Sequence, residues 1–384
     1  MPFDDEFWSK PRQNEDADKL KNLTGFTVSL PIYSDADDKF AKWVDRVKNI
    51  LVKNFRMMCR CAVLFMVALQ FSQAQGAQQQ ECVGRYSLTL PSEADVAMTT
   101  RTAFIGQQIS PTRFGDDKTA RLSSFIYNGT FSISRSVSRS EFDLFIKEAK
   151  ANAAASATKP YASQRFSIVD RSDPNSLVWK GPKTSGFYTY IDGTAIEFVG
   201  MSSSGQSAVE TLEHSKARAD GEVPHVPGVC LPGIFVMSDQ PDYVRDVGVT
   251  FRLKSHPDVL IFVRDSKALP NQPKLTSRQQ SELLWTGGLG VGKKVKLHGV
   301  LPWSGVKLDG REGVGSFGTI TRIDDSMDYG YLVAVQGDPD ATTDTPDLVL
   351  YVERNASASQ GKPPVSANEI EKIGEEVAAS IRRR

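Results

Sequence analysis

The sequence predicts an α+β fold of two domains, each a mainly antiparallel sheet with a few packed helices. Three observations predict it. Short runs rich in Val, Ile, Phe and Tyr recur from Cys82 to Glu353 between Gly, Pro and Asp turn residues, the signature of strands. Asp192-Gly193 joins two such runs and supplies the positive φ angles of a tight hairpin. The helical stripes stand apart from the strands instead of alternating with them, which argues against a doubly wound parallel sheet.

Taken in order, "RYSLTLP" alternates Tyr86, Leu88 and Leu90 with polar residues until Pro91 stops the strand. "SRSEFDLFIKEAKANAAASA" reads as a helix. Ser140 can cap it with Asp143 three residues on, and Phe142, Phe145, Ile146 and Ala149 form its apolar stripe. "GFYTYIDGTAIEFVG" is the hairpin, and "ETLEHSKARADGEVPHVPG" a short helix dissolving into a Pro/Gly-rich joint near Gly221 to Gly228. That joint sets the domain boundary, 78–221 against 222–384.

Beyond it, Val247, Val249, Phe251 and Leu253 share one face of a half-buried strand. A turn at His256-Pro257-Asp258 leads into the continuously apolar run Val259 to Val263, a more central strand. "SRQQSELLW" reads as a helix, and "KKVKLHGVL", "GSFGTITRI", "YGYLVAVQG" and "DLVLYVER" as strands. After "NASASQGKPPV", Ser366 and Glu369 make a capping box for a helix burying Ile370, Ile373, Val377 and Ile381. Arg382 to Arg384 are placed to complement its C-terminal dipole. Both halves open with a cysteine followed closely by glycine and a β run, a faint sign of duplication.

The segment before Cys82 decides the compartment. Lys53, Arg56 and Arg60 give a positive flank, and Cys61 to Phe71 is apolar except for Gln70. Ser72-Gln-Ala74 and Ala74-Gln-Gly76 put small residues at cleavage positions, so 57–77 reads as a secretory signal peptide. The run is short of the about 20 residues a membrane span needs, and a core strand would not continue into "SQAQGAQQQ". The leader 1–56 is irregular apart from a helical stripe through Phe40, Trp43, Val44, Val47, Ile50 and Leu51. A start at Met57 or Met58 accounts for it; a cytoplasmic leader is the other explanation.

Composition narrows the partners. Lys plus Arg, 46, equals Asp plus Glu, 46, and no basic patch carries interleaved aromatics, so nucleic acid has no electrostatic footprint. No later segment reads as a membrane span, so no stable membrane insertion is expected after signal cleavage. Cys59 and Cys61 fall within the signal and leave Cys82 and Cys230, an even pair whose linkage an oxidising periplasm favours. Closing so long a loop is worth on the order of 4–5 kcal/mol in the chain-entropy model. Two buried free thiols are the alternative. Gln79-Gln80-Glu81 before Cys82 does not suit a lipid-acceptor site.

Catalytic signatures fail one by one. "GGLGVGKKV", Gly287 to Val295, spaces its glycines and Lys293 like a phosphate loop, but Lys294 sits where Ser or Thr should bind magnesium. Its flanks also run helix then strand, the reverse of the motif. Ser316 in "GVGSFG" has glycine beside it where a nucleophile elbow wants it one residue further out, and reads as a turn between strands. His214, His225, His256 and His298 lack metal-ligand spacing, and Asp116-Asp117 and Asp324-Asp325 read as solvated turns. No catalytic, cofactor-binding or metal residues are assigned, and no cofactor is expected. A triad assembled from distant residues, hence a periplasmic hydrolase, stays open as the alternative.

Several stretches together resemble one family. "CVGRYSLTLP" behind a signal peptide, "GVCLPGIFV" with the second cysteine, "FRLKSHPDVLIFVRD", "LDGREGVGSF" and the closing "EIEKIGEEVAASIRRR" are similar to the immunity proteins that guard against type VI secretion lipase effectors. The particular family is the one paired with class-four phospholipases. Its Gly-x-Glu-Gly turn maps onto Gly310, Glu312 and Gly313, although "LHGVLPWSGVKLDGREG" is longer than that family leads one to expect. The resemblance implies a two-domain periplasmic binder whose partner is a cognate lipase effector, held with its active site blocked or its lid shut. Exposed aromatics such as Trp179, Trp303 and Tyr329 are candidate anchors, with core packing the competing role.

Export has a direct readout. N-terminal sequencing of the mature protein is expected to begin between Gln75 and Gln78; material recovered with Met1 intact would contradict it.

Overall fold

The polypeptide opens on an antiparallel hairpin, β1 (Gln79–Val83) and β2 (Tyr86–Leu90), with Val83 opposite Tyr86. Its turn needs glycine twice over: Gly84 has φ +56, and a Cβ there would stand 2.3 Å from the Asp265 carboxylate. The computed structural model describes residues 78–384 except 107–111, 121, 159–164, 170–172, 174, 202–204, 241, 271–274, 289–291 and 293. The expected leader, its helical stripe and the signal peptide lie outside the described residues.

After β3 (Ala94–Val96), a short helix α1 (Arg101–Gly106) and the ribbon of β4 (Thr112–Arg113) and β5 (Thr119–Ala120), the chain makes the hairpin β6 (Ser124–Tyr127) and β7 (Thr130–Ser134). Helix α2 (Arg139–Ser156) follows, and its cap is not the one expected. Ser138 accepts from the Glu141 amide while the Glu141 carboxylate accepts from the Ser138 amide, 2.9 Å away. The expected partners Ser140 and Asp143 lie inside the helix, where Asp143 pairs with Arg139 one turn back. Those cap bonds and Arg101 hold the Glu141 carboxyl down at about 2.

Strands β8 (Ser167–Val169), β9 (Ser176–Lys180), β10 (Ser185–Ile191) and β11 (Thr194–Gly200) extend the sheet. The β10–β11 turn is Asp192-Gly193, at φ 44 and 78, as the dipeptide predicted. Then come α3 (Gln206–Glu213) and a small sheet of β12 (Ser215–Ala217), β13 (Val229–Leu231) and β14 (Ile234–Val236), in the order β12-β14-β13. The expected strand pair is β15 (Arg245–Leu253) and β16 (Val259–Ser266). Helix α4 (Ser277–Leu283) ends in a π-helical turn, Leu284–Gly288. The remainder is β17 (Lys294–Leu297), β18 (Ser304–Leu308), β19 (Arg311–Thr321), β20 (Met327–Val335), β21 (Asp347–Arg354), α5 (Ala367–Ser380) and β22 (Arg382–Arg383).

The class is the α+β one expected, and the pairing is antiparallel throughout the main sheet's centre. That sheet has 14 strands in the order β17-β19-β20-β21-β16-β15-β6-β7-β11-β10-β9-β8, with β18 also on β19 and β3 also on β15. Strands from both sides of the 221/222 boundary therefore share one sheet, joined where Arg245 to Gly248 of β15 pair with Tyr127 to Ser124 of β6. Residues Gln75–Arg384 make one compact unit. Among the described residues no helix is long and apolar enough to cross a membrane.

The two ends of the chain meet. Tyr86 pairs with Arg383 and Ser87 with Arg382, so these arginines form a strand where a dipole-complementing helix end was expected. A strand partner was available because β2 exposes an unpaired edge beside α5: the Thr89 amide donates to Ser380 Oγ at 2.9 Å. Ser366 caps α5, accepting from the Glu369 amide, one arm of the expected box. The helix buries Ile370, Ile373 and Val377 with the core of β2, β20 and β21. It closes on the Tyr331 ring at Gly374, where a Cβ would stand only 2.2 Å from the ring.

Gly374→Ala is accordingly expected to destabilise the protein by roughly 1–3 kcal/mol through overpacking, outweighing the about 1 kcal/mol of helix propensity that alanine adds. A lowered urea midpoint checks this; an unchanged or raised one would contradict it.

Candidate functional site

Two features could serve a binding function: the buried junction that fixes the chain's geometry, and the groups that its surface presents. At the junction Cys82 and Cys230 are joined in a disulfide with Cα atoms 5.8 Å apart, both almost fully buried. This decides between the linked pair and two free thiols. Main-chain bonds flank it, Gly84 N to Cys230 O at 3.0 Å and Cys230 N to Gly84 O at 2.8 Å.

Beside it lies an ionic centre. Arg245, 1 % exposed, donates from Nε to Asp265 Oδ2 at 2.8 Å and from Nη2 to Asp344 Oδ2 at 2.7 Å. The Arg85 amide also donates to Asp265 Oδ2, and the Arg85 guanidinium pairs with Asp239 and Asp344. Burial pushes the Asp265 carboxyl up from its ordinary range, opposed by the Arg245 charge. A second buried pair, Arg218 with Glu81 at 3.1 Å, adjoins it. Arg384 completes the seal: its guanidinium lies over the Phe235 ring and donates to the carbonyls of Pro224 and Gly228. Burial and the Arg218 charge pull its pKa down to about 10.

The motif residues Gly310, Glu312 and Gly313 separate. Gly310 follows Asp309 in a two-residue turn between β18 and β19, at φ 73 and 54. Glu312 and Gly313 are not in the turn but in β19 beyond it. Glu312 pairs across the hairpin with Lys307 at 2.8 Å, and a Cβ on Gly313 would collide with Ala334 O at 2.6 Å. The Asp309 carboxylate accepts from the Arg383 amide at 2.9 Å, tying this turn to the C-terminal strand.

Ser316, read as a turn residue, is instead buried inside β19 and accepts from Trp285 Nε1 at 2.8 Å. The strand expected at "GSFGTITRI" already spans Ser316, and the glycines around it, which suggested a turn, let strands and rings pack closely. His298 meets the Thr319 hydroxyl at 2.7 Å, and His214 ends α3 on the Glu210 carbonyl. Asp117 and Asp325 take the left-handed turn conformation expected of their pairs, but Asp116 also clasps Arg252 through both oxygens at 2.9 Å. In the Gly287 to Val295 run, 289–291 and 293 lie outside the described residues. Among the described residues no group of His, Cys, Asp and Glu could hold a metal ion.

The surface feature the sequence concealed is the loop 299–303. Strand β17 ends at Leu297, short of the run read as reaching Leu301. Both β17 and β18 pair with β19, Leu297 opposite Gly318 and Ser304 opposite Gly315. Of the six residues between, His298 still donates its amide to the Phe317 carbonyl, and 299–303 bulge from the sheet edge and leave Val300 99 % and Leu301 87 % exposed. The root is fixed: Gly299 takes φ 85, and half-buried Trp303 packs on the cluster of Trp285 and Leu332 beneath the Arg278 guanidinium. Ile323, also 87 % exposed, marks the β19–β20 turn at the rim of a cleft of about 510 Å³ floored by Leu260, Phe262 and Tyr351. Trp179, Trp303 and Tyr329 are each half-buried and packed on core clusters.

The ionic centre carries a stability prediction. Arg245→Met takes the guanidinium from buried Asp265 and from Asp344, leaving them the Arg85 amide and guanidinium, and is expected to cost about 3–5 kcal/mol, read as a lower urea midpoint. A loss within the error of the measurement would contradict the pairing.

Three solved structures share the fold. The immunity protein TplEi of the type VI secretion system from Pseudomonas aeruginosa, complexed with an "L" peptide, superposes with a TM-score of 0.53 at 14 % identity, covering 81 % of this chain and 99 % of that one. The same protein in its apo form gives 0.52 at 15 % identity, with 82 % and 99 % covered. The Tle4–Tli4 complex gives 0.53 at 16 % identity, with 80 % and 97 % covered. No curated protein matches the sequence. A family model does match, over 222–384, and it describes the C-terminal domain of Tle cognate immunity protein 4. Over residues 222–384 the chain is thus similar to the Tle cognate immunity protein 4 C-terminal domain, in line with the family that the sequence resembles.

Proposed function

We propose that the chain is a periplasmic immunity protein that binds a type VI secretion phospholipase effector and holds it inactive, with no reaction of its own. The observation that carries this reading is the family match over 222–384. The buried disulfide supports an oxidising compartment, and the signal-like segment at 57–77 supports export to it. The binding partner is a lipase whose active site is kept from lipid, either by covering its entrance or by holding its lid closed.

The loop 299–303 is the anchor we assign to that complex. Stable interfaces bury about 1,600 Å² but draw most of their energy from a few central side chains. Val300 and Leu301 are apolar, almost wholly exposed and rooted at both ends by paired strands, so burying them gains hydrophobic free energy with little ordering cost.

Co-expressing the neighbouring lipase in the periplasm tests the reading: cells carrying this protein are expected to survive, and the purified pair to form a one-to-one complex. No complex and no protection would refute it, as would ester hydrolysis by the protein alone that one serine substitution abolishes. In the same assay Val300→Asp and Leu301→Asp are each expected to weaken binding by about 30-fold or more, the 2 kcal/mol of a hot spot. The melting temperature should stay unchanged, and undiminished affinity would remove the loop from the interface.

A further inference from the structure

A second concave site lies at the opposite edge of the sheet and plays no part in the reading above. Strands β9, β10 and β11 place Leu177, Tyr188 and Glu197 in one cross-strand row, and Trp179, Gly186 and Val199 in a neighbouring row. Alternation along a strand puts both rows on the same face. Helix α2 and, just before β8, Arg165 and Phe166 wall this face and leave a cavity of about 380 Å³ lined also by Trp179, Tyr188, Glu197 and Val199. Gly186 makes room for it: a Cβ there would stand 2.7 Å from the Trp179 ring, so the indole lies across β10.

The cavity's exposed rim carries Arg165 and Asn152, and two buried polar groups face the aromatic walls. The Glu197 side chain is 8 % exposed and accepts from the hydroxyls of Ser132 and Tyr188, while burial pushes its carboxyl up from the ordinary range. Two hydroxyl donors leave a carboxylate with acceptor capacity to spare. The indole N–H of Trp179 is buried and has no acceptor among the described residues, which is unusual because buried polar groups are normally bonded. An anion would be repelled by Glu197, and a purely apolar guest would leave both groups unanswered. A cation suits the carboxylate and the negative faces of the rings together.

We propose that this cavity binds an alkylammonium group, with Glu197 as its counter-ion, the rings of Phe166, Trp179 and Tyr188 as its walls, and the Trp179 N–H donating to an oxygen carried near the charge. The group can arrive on a small amino alcohol or on a lysine side chain, and the two sources are separable by experiment.

Isothermal titration calorimetry of the mature chain with choline, ethanolamine, tetramethylammonium, N-acetyl-lysine amide and 3,3-dimethylbutan-1-ol decides the matter. The last keeps the shape of choline without its charge. At least one ammonium ligand is expected to bind, with the neutral isostere weaker by about tenfold or more. Glu197→Gln is expected to reduce ammonium binding by about tenfold or more, the loss of a charge-assisted contact. Trp179→Phe, a second and milder variant, should weaken choline while sparing tetramethylammonium, which has no oxygen. Preference for choline or ethanolamine assigns a free amine; preference for the lysine derivative assigns a protein side chain. Equal binding of the isostere, unchanged binding in a folded Glu197→Gln protein, or no ammonium binding at millimolar concentration would each overturn the proposal.

Discussion

Arg245 holds a position that the rest of the molecule must satisfy. A guanidinium this deeply buried costs several kcal/mol in lost hydration unless well-placed acids surround it. Its acids come from β16, in Asp265, and from the segment between β20 and β21, in Asp344. Arg85, at the turn of the first hairpin, binds both of those acids. Strands distant in sequence must therefore converge before the charge can be covered. The disulfide acts at the same place, since Cys82 lies in β1 and Cys230 in β13. It stabilises the convergence chiefly by removing conformations from the unfolded chain.

The consequence for binding is a stiff frame with features at its margins. An exposed sheet edge invites unwanted pairing, and proteins blunt such edges with short strands and lysines. Here the edge on β19 is split into β17 and β18 and carries exposed Lys294, Lys296 and Lys307. The interruption that splits it is the apolar loop 299–303. One interruption thus shortens the edge strands and leaves Val300 and Leu301 exposed.

Much of this was legible in the sequence where local chemistry decides. Asp192-Gly193 and the cap at Ser366 depend on near neighbours and fold as their residues suggest. The run from Val247 to Leu253 makes the expected strand, but it is buried on both faces instead of one because it lies in mid-sheet. What escaped depends on distant partners. Arg382 and Arg383 look like a helix end until β2 offers them an edge. Glu81 looks like part of a polar run after the signal, yet it is buried against Arg218. Val300 and Leu301 continue an apparent strand, and only the pairing of both flanks to β19 turns them outward. Ser138 is also within local reach, because Glu141 three residues on closes the box that Ser140 and Asp143 do not.

The two halves, though separable by sequence pattern, are joined into one cooperative body by the β6–β15 pairing and the Arg245 centre. Urea unfolding of two single-tryptophan proteins, one retaining Trp179 on β9 and the other Trp285 beside β19, tests it directly with the disulfide intact. Coincident transitions with equal midpoints and slopes are predicted. Two separated transitions, one for each probe, would contradict it.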